Sequence, residues 1–113
     1  MTPPLPPEMD FVPDVPAHLG AIQQGFDAYQ RACFTDRPPE FFALELAGEC
    51  GELANLEKKI WKGKAIPHER VVDEAADVFI ALTNYCNARG INLGEAVAQK
   101  LLTIEERRRN GTH

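Results

Sequence analysis

The chain is poor in several things that would otherwise direct its reading. In 113 residues there are one tryptophan, two methionines, three histidines and three cysteines. Cys33, Cys50 and Cys86 are odd in number and widely spaced, with no CxxC pair, which argues against a disulfide framework or a zinc ribbon. Reduced thiols in a cytoplasmic protein are the expectation. No apolar run approaches the roughly 20 residues of a membrane span, and the proline-rich start lacks the basic and apolar regions of a signal peptide, so no membrane partner is expected. Basic charge is also short: 12 Lys and Arg stand against 17 Asp and Glu, a formal net charge of -5. A coat for nucleic acid polymers needs a basic face, so that class is set aside. Sustained strand alternation is missing throughout, which leaves helices.

Residues 1–16 hold six prolines and read as an extended arm. A mobile tail is favoured over docking of Phe11 and Val12 on a neighbouring subunit. Residues 17–109 read as one all-α domain and 110–113 as a tail. Leu19, Ile22, Phe26, Tyr29 and Cys33 recur at three- and four-residue steps, which predicts a first helix. Asp36 is placed to cap the next helix, and Pro38 and Pro39 suit its first turn. That helix is expected from Pro39 to Lys62, with Phe42, Leu46, Leu53, Leu56 and Ile60 in register and Gly63 as the stop. Gly48 and Gly51 inside it each cost about 1 kcal/mol relative to alanine, which suggests close helix packing or ligand approach. A third helix, from about Pro67 to Gly90, is apolar over a broad arc and is expected to be buried on more than one side. Asn92 with Glu95 reads as the capped start of a fourth, running to about Arg108. A four-helix bundle-like fold follows, and its short length makes completion by self-association, as homodimer or homotetramer, a reasonable expectation.

The chemistry is concentrated in two acid-x-x-acid words, Glu49-Cys50-Gly51-Glu52 and Glu74-Ala75-Ala76-Asp77. On a helix, positions i and i+3 share a face, so each word projects two carboxylates side by side. Antiparallel packing of the two helices brings all four into one volume. There they must protonate, spread into water or bind a cation, and an all-oxygen set suits Mg²⁺ or Mn²⁺ rather than zinc. A solvated acidic face is the competing reading, weakened by the small and apolar residues around both words. A di-iron carboxylate bundle uses Glu-x-x-His pairs, and His18, His68 and His113 fall in neither word.

The string from Leu46 to Ala54 followed by Asp73 to Val78 resembles the all-α nucleotide pyrophosphohydrolases of the MazG superfamily, whose pattern is Glu-Glu-x-x-Glu, a spacer, then Glu-x-x-Asp. Gly90 to Leu93, with Lys100 further on, is similar to that family's turn and final helix. The resemblance implies Mg²⁺-dependent hydrolysis of a nucleoside triphosphate to the monophosphate and pyrophosphate, for nucleotide-pool sanitation. It implies Glu49, Glu52, Glu74 and Asp77 as metal ligands and catalytic groups. The pattern's first glutamate falls at Gly48, as it does in the dCTP-pyrophosphatase-like branch, so the water-activating base is open and Glu45, one turn earlier, is a substitute. Lys58, Lys59, Lys62 and Lys64 cluster at the end of the second helix. Lys59, seven residues after Glu52, is the preferred phosphate contact, and Lys100 is carried over from the family's final-helix lysine. Trp61 is a candidate to stack on a base, with a place in the core or a dimer interface the favoured reading. Asn84, seven residues after Asp77, is a candidate to read a base or ribose edge. A phosphoribosyl-ATP pyrophosphatase and a non-catalytic helical interaction module are the alternatives.

Overall fold

The computed structural model describes residues 4–112. Residues 1–3 of the arm and residue 113 of the tail lie outside them. Four helices carry the fold: α1 Val15–Cys33, α2 Pro39–Trp61, α3 His68–Arg89 and α4 Leu93–Arg109. No strand is present among the described residues. None of the helices is long and apolar enough to cross a membrane.

Each boundary has a local cause. Pro39 opens α2 at a position where its missing N–H would have no helical partner, while Asp36 makes no capping bond and Pro38 occupies the cap. Gly63 ends α2 at φ 90°, and Lys64 N–H donates to the Lys59 carbonyl at 3.0 Å. Gly90 repeats the device after α3 at φ 72°, with Ile91 N–H on the Cys86 carbonyl at 2.8 Å. Both are six-to-one closures that only a left-handed residue permits without strain. Asn92 caps α4 by accepting from Glu95 N–H at 3.1 Å, as its sequence position predicts.

The leader departs from the extended arm expected of it. Pro7–Met9 and Val12–Asp14 form short 3₁₀ turns, and α1 starts at Val15 with Pro16 in its first turn. Proline obstructs a helix interior but not a first turn, so these prolines punctuate short turns rather than keep the chain straight. Val12 is buried within the same chain, and Phe11 stays exposed. The Arg109 guanidinium donates to the Pro4 carbonyl, which ties the leader to the end of α4. Glu105, itself buried, accepts from Arg108 at 2.6 and 2.8 Å and from Arg109 at 3.0 Å. The Arg108 hydrogen bond, with Arg109 adding to it, holds the Glu105 carboxyl down at about 2.

The helices associate in two pairs, α2 with α3 and α1 with α4, and α1 also leans on α3. A polar clasp joins the pairs. The Gln23 side-chain amide donates to Asn87 Oδ1 (3.1 Å) and to the Ile91 carbonyl (2.8 Å), and Gln23 Oε1 accepts from Leu93 N–H (2.9 Å). Asn87 returns a bond to the Gln23 carbonyl at 2.9 Å. Phe26 meets Phe79 edge to face at 6.2 Å.

The assembly is a thin slab of 50 × 43 × 22 Å with a radius of gyration of 17.4 Å. A compact domain of this length has a radius near 13 Å, and 22 Å is about two helix diameters. Few apolar side chains are buried: Val12, Phe42, Leu56, Ala81 and Cys86. The broad apolar arc of α3 is therefore only partly covered. Ala81, Thr83 and Cys86 face inward, whereas Val72 is 54% exposed and Ile80 45%.

Close backbone approach occurs at Gly94, not at Gly48 or Gly51. A Cβ at Gly94 would stand 2.7 Å from Pro16 Cα, whereas one at Gly48 or Gly51 meets nothing within 4 Å. Gly94→Ala should therefore cost about 1–3 kcal/mol by overpacking the α1–α4 contact. Urea denaturation measures this, and an unchanged midpoint would show that the contact yields freely.

Candidate functional site

Glu49 and Glu52 sit in the middle of α2, Glu74 and Asp77 in the first half of α3. The turn between residues 62 and 67 reverses the chain. The register is antiparallel: Lys59 shares a cavity with Arg70 at one end of the seam, Glu49 meets Asp77 in the middle, and Phe42 shares a cleft with Asn84 at the other end.

One ligand atom from each of Glu49, Glu74 and Asp77 lies within 4.8 Å of the others. All three residues are half-buried. Glu52 is exposed and outside this trio, at its edge, where it lines a cavity together with Glu74. Oε2 of Glu49 and Oε2 of Glu74 are both buried with no hydrogen-bond partner. As carboxylates the two can only repel, because neither has a proton to donate. A proton on Glu74 changes this: sharing it with Glu49, and next with Glu52, holds the Glu74 carboxyl up at about 8, with burial and the charges of both neighbours adding to the shift. Asp77 is raised as well, first by burial, then by the charges of Glu49 and Asp73. The arrangement thus stores excess negative charge that a proton or a hard cation relieves, and its all-oxygen donors suit the latter.

The remaining predicted residues fall in three places. Lys59 lines a cavity of about 350 Å³ with Glu52 and Glu74. Glu45 and Asn84 lie at the opposite end of the seam, in a cleft with Phe34, Arg37, Phe41 and Phe42. Asn84 also borders a neighbouring cavity of about 330 Å³ with Arg31 and Asn87. Trp61 is 84% exposed at the end of α2, and Lys100 is exposed on α4. Neither lines these three cavities.

Two contributors escape a sequence reading. Arg70 lines the Lys59 cavity from the first turn of α3, and Arg37 stands 4.8 Å over the Phe41 ring beside the Asn84 cleft. The antiparallel register that sets Glu49 against Asp77 places Arg70 beside Lys59, whereas Arg37 precedes α2 and no helical spacing reaches it.

Because the folded-state value for Glu74 lies above its ordinary 4.5, the folded chain holds a proton that the unfolded chain releases. In chelator-treated protein the contribution of Glu74 to stability is full below about 4.5 and is lost as pH rises through about 8. Thermal melts across that window should show a decline that Glu74→Gln flattens. An equally steep decline in the variant would place the raised group elsewhere.

No model of a known protein family matches the chain, and neither curated proteins nor solved structures give a match.

Proposed function

We propose that the chain is a Mg²⁺-dependent nucleoside triphosphate pyrophosphohydrolase with a MazG-like fold, converting an NTP or dNTP to the monophosphate and pyrophosphate in nucleotide-pool sanitation. The observation that carries this reading is the trio Glu49, Glu74 and Asp77, with two buried carboxylate oxygens left without partners. Unneutralised charge at such separations is costly in a partly desolvated site, and a hard cation removes that cost. Glu49, Glu74 and Asp77, with Glu52 at the rim, would hold Mg²⁺, or Mn²⁺ in its place. The ion supplies charge neutralisation on the phosphates and lowers the pKa of a bound water.

The rest of the site suits a nucleotide. Asn84 lies two helical turns beyond Asp77, about 10 Å along α3. It presents an amide among Phe34, Phe41 and Phe42, a surface that offers a base both stacking and an edge contact. In the overall reaction water supplies the oxygen, an anhydride bond of the triphosphate breaks and pyrophosphate leaves. The water's proton passes to a carboxylate of the cluster or to Glu45.

Removal of one ligand while its shape is kept, in Glu49→Gln or Asp77→Asn, should lower pyrophosphate release from a panel of NTPs and dNTPs on the order of a hundredfold. The same substitutions should abolish the rise in melting temperature that Mg²⁺ gives the native chain. Intact nucleotides and no Mg²⁺-dependent stabilisation would favour a non-catalytic helical module instead.

The slab shape points to a second copy of the chain. The protein exposes 8158 Å², where a compact monomer of its size exposes about 6,200 Å². The excess of about 2,000 Å² is of the order a permanent interface covers. An apolar groove between Phe26, Tyr29 and Ile80, with Phe79 edge to face on Phe26, is where we place that partner, in a homodimer or homotetramer. Sedimentation at micromolar concentration should give two or four chains per particle, and Ile80→Glu should give one. A monomeric native protein would sink this assignment.

A further inference from the structure

The cavity of about 350 Å³ at the turn end of the α2–α3 seam holds two cations, Lys59 and Arg70, on a wall otherwise formed by Glu52, Asn55, Leu56, Asp73 and Glu74. The side chains of Lys59 and Arg70 make no hydrogen bond and no ion pair with any described residue, although acids share their cavity. Arg31, Arg108 and Arg109 are each engaged by a neighbouring acid, whereas Lys59 and Arg70 stand unengaged in a cavity that Glu52 and Glu74 also line. The position of Arg70 adds weight. It stands in the first turn of α3, the positive end of the helix dipole, where a cation is unfavourable for the helix itself. Asp73 and Glu74, three and four residues further on, form no ion pair with it, and an anion in the cavity would gain from both the guanidinium and the dipole.

Lys59 and Arg70 lie on the far side of the carboxylates from Asn84. Arg70 is one turn before Glu74 and two turns before Asp77, so it stands about 10 Å from the latter along the helix. A nucleotide laid along the seam therefore has two different ends available: an aromatic and amide cleft at Phe42 and Asn84, and a cationic cavity at Lys59 and Arg70.

We propose that Lys59 and Arg70 form the subsite for the leaving pyrophosphate, so that the substrate lies with its nucleoside toward Asn84 and its terminal phosphates toward the α2–α3 turn. This rests on the pyrophosphohydrolase reading and gives it a direction. Arg70 contributes a planar fork that pairs two phosphate oxygens at once, and Lys59 a compact point charge. Together they bind the product end of the scissile anhydride, while the carboxylates hold its middle.

Calorimetric titration of inorganic pyrophosphate into the full chain with Mg²⁺ tests this without turnover. Arg70→Gln and Lys59→Gln should each weaken pyrophosphate binding roughly tenfold, and Arg70→Lys should recover part of the loss. Arg89→Gln, the same charge change at the opposite end of α3, should leave it intact, and the Mg²⁺-induced thermal shift of Arg70→Gln should match that of the native chain. Unchanged pyrophosphate affinity in both variants, equal weakening in Arg89→Gln, or no binding by the native chain would overturn the subsite. The two readings fail separately. NTP cleavage with pyrophosphate affinity indifferent to Arg70 removes the subsite alone, whereas Arg70-dependent pyrophosphate binding without any cleavage removes the hydrolase alone.

Discussion

Carboxylates that face one another across two helices repel unless something positive stands between them, and this repulsion governs the α2–α3 pair. The helices meet because Phe42, Leu56 and Ala81 bury apolar surface along the same seam that holds Glu49, Glu74 and Asp77. Packing and electrostatics therefore act against each other at one interface. A proton shared between Glu74 and Glu49 is the relief available from within the chain. A divalent cation would be a stronger one, and it would turn an unfavourable contact into the best-held part of the fold.

The architecture divides the labour. Gln23 binds α1 to the end of α3 and to the turn that begins α4, so three elements share one amide side chain. Glu105 with its two arginines anchors the leader at the other end of α4. These polar contacts join elements distant in sequence in a chain with little buried apolar area, and none of them involves the clustered carboxylates. The slab can thus hold its shape while the seam is left for charge.

Helices were legible in the sequence because they are set by local signals. Pro39, Gly63, Gly90 and Asn92 act within a few residues of themselves, and their roles survive in the structure with boundaries shifted by a residue or two. The acid words were legible for the same reason, since i, i+3 spacing fixes a shared face whatever the helix packs against. Less local properties were hidden. Gly94 looks like any early helix residue until Pro16 is placed against it, and the Gln23 clasp spans more than sixty positions. The leader misled because proline content alone does not distinguish an extended arm from a series of first turns. Glu52 was grouped with the other three acids by spacing, but helix rotation leaves it at the rim.

The bare surface at Gly48 and Gly51 has a consequence for motion. With no side chain at either position and no neighbouring atom to replace one, the backbone hydrogen bonds there face water on that side. Each glycine weakens α2 by about 1 kcal/mol relative to alanine. This lowers the cost of opening α2 in its middle, at the turn that carries Glu49 and Glu52. Local opening there would also let the clustered negative charge spread. Whatever neutralises the carboxylates also stiffens α2, and amide exchange between residues 48 and 52 becomes a direct gauge of how well that charge is held.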